Sequence, residues 1–114
     1  MKAIIYHNPR CSKSRQALGL LEEKGVDHEV KEYLKEGLDE AEVLDLITKL
    51  GDSAQNIVRQ KEEEFKAEPF EVEDKGTVAK MLAHIPKLLE RPIVVMGPKA
   101  IIGRPPEDIL KLFS

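Results

Sequence analysis

The sequence predicts an α/β protein, a small mixed β-sheet with flanking helices in one domain. Three observations carry that prediction. Short apolar runs at 3–6 and 93–96 read as buried strands. Helical periods fill the chain between them. The order is β-α-β, then helices, then β-β-α, a pattern that buries a sheet between helices. The 114 residues suit a single domain. With 41% apolar residues but only 4% aromatics and no Trp, the core must rest on Leu, Ile and Val.

The first strand, 3–6, ends at a His-Asn-Pro turn signal. From Ser12 to Lys24, Ala17, Leu18, Leu20 and Leu21 make one apolar helix face, and Lys24-Gly25 is a natural stop. Val26 to Tyr33 reads as a second strand with Val30 inward. A helix crossing between these strands makes them parallel. Asp39 with Glu42 forms a capping-box pattern for a helix carrying Val43, Leu46, Ile47 and Leu50, closed by Gly51. Ser53 is positioned to cap a short helix bearing Ile57 and Val58. A further helix near Thr77 carries Val78, Met81, Leu82 and Ile85 until Pro86 interrupts it. Ile93 to Met96 is the strongest strand signal. Gly97-Pro98-Lys99 turns the chain into a strand at 100–102, antiparallel to it. Pro105-Pro106-Glu107 opens a last helix over Asp108 to Phe113. The layout is a thioredoxin-like core over 1–114, with a helical insertion at about 38–78.

Charge and patterning exclude several classes. The net charge is −3, and acids and bases are interspersed. No basic stripe interleaved with aromatics marks a nucleic-acid surface. Met1 to His7 reads as a strand rather than a signal peptide. No run approaches the 18 or so apolar residues of a membrane span. A cytoplasmic monomer is expected, with no nucleic-acid or membrane partner. No metal-ligand spacing and no nucleotide or flavin motif occurs, so no tightly bound cofactor is expected.

The single cysteine, Cys11, falls between the first strand and the first helix. Free cysteines are often inert core residues. Here the neighbours are Asn8, Pro9, Arg10, Ser12, Lys13, Ser14 and Arg15, none of them a core type. Unpaired N–H groups at a helix start stabilise a thiolate or a bound oxyanion. Ser14, three residues on, can reach either. His7 can help ionise the thiol or simply end the strand. With no cysteine at position 14, a mixed disulfide on Cys11 must be resolved by an outside thiol. Only five arginines stand against thirteen lysines. Arg10 and Arg15 flank the thiol, Arg91 and Arg104 bracket the hairpin, and Arg59 lies in the insertion. Arginine's planar fork suits an oxyanion better than lysine's point charge. Pro92, leading into a central strand, is a position where a cis bond can pack beside the thiol.

Four ordered motifs span nearly the whole chain: His7-Asn8-Pro9-Arg10-Cys11-Ser12-Lys13-Ser14-Arg15, Ile57-Val58-Arg59-Gln60-Lys61, Arg91-Pro92-Ile93-Val94-Val95 and Gly103-Arg104-Pro105-Pro106-Glu107. On these the chain resembles the glutaredoxin-coupled arsenate reductase family, and within it the short bacterial homologues. The resemblance implies a glutathione- and glutaredoxin-dependent arsenate reductase, forming arsenite from arsenate through a Cys11 thiolate adduct. It implies catalytic roles for Cys11, His7 and Ser14, and oxyanion binding by Arg59, Arg91 and Arg104. Glutathione would be the reducing co-substrate and glutaredoxin the partner. Two alternatives stand beside it: a monothiol disulfide reductase with another substrate, and a regulator of the same fold that binds RNA polymerase.

Overall fold

The structure is a computed structural model and describes residues 2–113. The expected domain limits at Met1 and Ser114 lie outside the described residues. Strand β1 (Ala3–Tyr6) leads to helix α1 (Ser12–Glu23) and strand β2 (His28–Lys31). Helices α2 (Tyr33–Glu36), α3 (Glu40–Leu50), α4 (Glu63–Ala67) and α5 (Lys75–His84) follow, with 3-10 turns at Gly51–Asn56 and Pro86–Leu88. Strands β3 (Ile93–Met96) and β4 (Lys99–Ile102) precede a terminal 3-10 helix, Pro106–Phe113. The sheet order is β2-β1-β3-β4. β1 and β2 are parallel, while β3 runs antiparallel to both β1 and β4. This is the mixed sheet of the thioredoxin-like class.

β1 and β3 are the central strands, buried on both faces, which is why they read as unbroken apolar runs. Their side chains alternate. Ile5 and Val94 pack with Ala17 and Leu21 of α1 and with Ile109. Tyr6, Ile93 and Val95 pack on the other face with Val43, Leu46, Val78 and Leu82 of α3 and α5. The capping box of α3 forms as its sequence requires. Asp39 Oδ1 accepts from the Glu42 N–H at 2.8 Å, and Glu42 Oε1 accepts from the Asp39 N–H at 3.3 Å. Glu42 also accepts from Tyr6 Oη at 2.8 Å and pairs with Lys31, tying the helix start to β1 and β2.

Several sequence expectations need correcting. The second strand is four residues long, and Val30 is 37% exposed rather than inward. β2 is an edge strand, so even a residue paired with Ile5 stays open to solvent. Tyr33 does not end that strand; it begins α2. Ile57 and Val58 are buried, but they follow a 3-10 turn instead of riding a helix, and Val58 bridges to Leu89. The terminal helix begins at Pro106 and is 3-10.

The hairpin turn is two residues, Gly97-Pro98, with Gly97 at φ 60°. Such a turn needs a positive φ at its first central position, which glycine supplies at little cost. Gly103 matters for a different reason. A Cβ there would stand 2.8 Å from Pro92 Cγ and 3.0 Å from Ile109 Cγ2. Its N–H donates to the Pro92 carbonyl at 2.8 Å, so the end of β4 lies against Pro92. The Arg91–Pro92 and Arg104–Pro105 bonds are both cis.

Candidate active site

The site forms beyond the carboxyl ends of the parallel strands β1 and β2, where ligands of α/β sheets commonly bind. The chain leaves β1 at Tyr6, turns through His7 to Arg10 and enters α1 with Cys11 at its N-cap. Buried Asn8 shapes the turn: its carbonyl accepts from the Cys11 N–H at 3.0 Å and its Oδ1 from the Arg10 N–H at 3.0 Å. Cys11 is free and half-buried.

Two arginines from the far end of the chain meet the sulfur. Arg104 Nη2 lies 3.5 Å from Cys11 Sγ. Arg104 Nε is anchored on the Arg91 carbonyl at 2.8 Å and on Glu90 Oε1 at 3.0 Å. The Arg91 guanidinium also faces the sulfur, and its buried Nε has no hydrogen-bond partner. Burial pushes the Cys11 thiol up, but the Ser14 backbone N–H and the Arg91 and Arg104 charges outweigh it. The pKa is held below the ordinary thiol value.

The other expected residues have definite places. His7 Nδ1 and Ser14 Oγ are 2.6 Å apart, and Ser14 Oγ also accepts from the Asn8 N–H at 3.1 Å. Both side chains are buried, so the serine braces the turn beneath the thiol. Burial holds His7 below the usual imidazole value; Arg15 reinforces that and Glu32 opposes it. Arg59 is engaged elsewhere: its Nη1 is 2.5 Å from Glu90 Oε1 and its Nε 3.2 Å from Glu62 Oε1. Arg15 donates to the Pro9 carbonyl at 2.9 Å. Glu90 is the residue that sequence reasoning missed. One oxygen, Oε1, takes Arg59 Nη1, Arg104 Nε and the Arg91 N–H. Its only sequence signal is an acid placed directly before Arg91-Pro92.

Among the described residues, no group of three or more His, Cys, Asp or Glu is placed to hold a metal ion. No described helix is long and apolar enough to cross a membrane.

A thioredoxin-like sheet with a thiol at the first helix start and two arginines on the sulfur defines a thiol enzyme. The comparisons with known proteins give its family. Residues 6–112 match the ArsC family. The chain is 47% identical to the uncharacterized protein YfgD of Escherichia coli K12, over 95% of this chain and 93% of that one. It is 41% identical to an arsenate reductase of Haemophilus influenzae, over 98% and 99% of the two chains. Its structure superimposes on an arsenate reductase from Vibrio cholerae with a TM-score of 0.86, at 38% identity and 97% coverage of each chain. The chain belongs to the ArsC family.

One expectation from the resemblance does not stand, the reduction of arsenate to arsenite with glutathione and glutaredoxin. That route passes electrons along several cysteines, and this chain carries only Cys11. The relatives are named arsenate reductases without a reductant.

Proposed function

We propose that the protein is a thiol enzyme that binds a tetrahedral oxyanion of arsenate's class and captures it covalently on Cys11. The observation that carries this reading is the contact of Arg104 with the Cys11 sulfur at 3.5 Å, beside a second guanidinium from Arg91. Two cations and the open N–H groups of α1 suit a thiolate and an arriving oxyanion alike. In the capture step an arsenic–sulfur bond forms and one arsenic–oxygen bond breaks. The oxygen leaves as water, with its protons from solvent, and arsenic remains As(V). Arg91 and Arg104 hold the anion's oxygens. Arg59 joins them by exchanging Glu90 for the ligand. Ser14, held by His7, keeps the turn in shape, and Pro92 seats the end of β4 below it. Discharging the adduct takes a second thiol, which this chain does not supply.

The test is alkylation of Cys11 by iodoacetamide in thiol-free buffer with increasing arsenate. Arsenate should protect the thiol, and mass spectrometry should find an arsenic-bearing adduct that is absent in Cys11→Ser. Phosphate, of similar shape and charge, should protect without leaving an adduct. Alkylation indifferent to both anions would sink the reading.

A further inference from the structure

Cys11 is the N-cap of the helix that follows β1, and Tyr33 is the first residue of the helix that follows β2. The last pairing of the parallel strands is Tyr6 with Lys31, and the His7 N–H then donates to the Lys31 carbonyl at 2.9 Å. The two loops therefore leave the sheet side by side, at the edge where the thiol stands. Tyr33 is fully buried, and its hydroxyl has no hydrogen-bond partner. Native proteins rarely leave a buried hydroxyl unpaired, because its desolvation goes uncompensated. Tyr33 lines a cavity of about 490 Å³ with His7, Asn8, Arg10, Lys35, Lys87 and Arg91. Cys11 and Arg104 do not line it, so Arg91 is the link between this cavity and the thiol. Arg91 contributes the other unpaired buried donor there, its Nε. Two uncompensated donors at one end of the sheet call for an acceptor that reaches both.

We infer that the Tyr33 hydroxyl is a further substrate-binding donor, hydrogen-bonding the oxyanion that Arg91 and Arg104 hold at Cys11. This inference rests on the reading of Cys11 as an oxyanion site and adds a neutral donor to its arginines. The hydroxyl lies within the electrostatic reach of the site. Its pKa is pushed up to about 12, first by burial and also by the Cys11 and Glu90 charges, against the opposing pull of Arg91 and Arg59. It therefore stays protonated at neutral pH and donates whatever the charge state of the anion.

Tyr33→Phe removes the hydroxyl and keeps the ring, so the two roles of the residue separate. Without anion, the thermal midpoint of Tyr33→Phe should equal or exceed that of the wild type, because an unpaired buried group has been removed. With arsenate in thiol-free buffer, the concentration giving half-protection of Cys11 from iodoacetamide should rise about tenfold to a hundredfold. Equal protection of variant and wild type would overturn the Tyr33 assignment and leave the oxyanion reading intact. A lower midpoint in the variant would assign the hydroxyl to packing and overturn it as well. An unprotected wild type would overturn both readings together.

Discussion

Cys11 owes its lowered pKa to one local neighbour and to two that are far away in the chain. The Ser14 N–H is local, but Arg91 and Arg104 arrive through the hairpin. Alkylation against pH should therefore give a Cys11 midpoint below the ordinary thiol value of about 8.5. Arg104→Ala should raise that midpoint and slow alkylation at pH 7 severalfold. Arg59→Ala should change it less, since Arg59 faces Glu62 and Glu90 rather than the sulfur. The folded state favours the thiolate, so the stabilisation is fully present above the unfolded pKa. It is lost as pH falls through the folded value. Denaturant midpoints of wild type and Cys11→Ser, followed across that window, check the sign. His7 is lowered too, by burial first, so its neutral form belongs to the folded state. Its NMR titration should fall below the usual 6.5 or so.

Among the elements, α3 and the β4 end answer to different forces. α3 depends on its cap: Asp39→Ala should cost about 1 kcal/mol and lower the thermal midpoint by several degrees. It should leave Cys11 alkylation unchanged, because α3 reaches the site only through the sheet. Gly103 stands where β4 meets Pro92 and where Arg104 begins its reach to the sulfur. Gly103→Ala drives a methyl against Pro92 and Ile109, an overpacking that costs about 1–3 kcal/mol. That variant should shift the Cys11 titration as well as the melting midpoint. Finding the stability loss with an unchanged titration would show that Arg104 is set independently of the strand end. Of these two elements, α3 was legible in sequence because a capping box and a helical period are local signals. The close approach at Gly103 was not, since it joins residues 92, 103 and 109 only after folding.

For the whole molecule, binding an oxyanion to the folded state alone must raise stability. Phosphate at a hundred times its dissociation constant should add about 2.7 kcal/mol, read as a higher thermal midpoint. Arg91→Ala should abolish most of that gain. The strand directions within each half of the sheet could be read from the sequence because the connections dictate them, and β1 and β3 stood out because they are buried on both faces. The pairing of β1 with β3 has no such local signal. Val30 misled because an edge strand obeys exposure rather than apolar pattern. The thiol was legible from its strand-to-helix junction. The arginines were legible as candidates, but their partners were not. No local pattern shows that Glu90 gathers Arg59 and Arg104, or that Tyr33 lies beside Arg91.

The single oxygen of Glu90 that three donors share also shapes how a ligand arrives. Arg59, Arg91 and Arg104 are matched there by Glu62, Glu90 and the Cys11 thiolate, so the three add little net charge, and Arg10 and Arg15 beside the thiol are the cations left over. The chain as a whole is negative, at −3. An anion approaching from solution therefore meets two local cations against a negative chain, and not the strong attraction that speeds association in highly charged clefts. On the proposed oxyanion reading, recognition is completed at contact, when the visitor displaces a carboxylate oxygen from its arginines. Stopped-flow capture rates should accordingly change little, or rise slightly, as added salt shortens the Debye length.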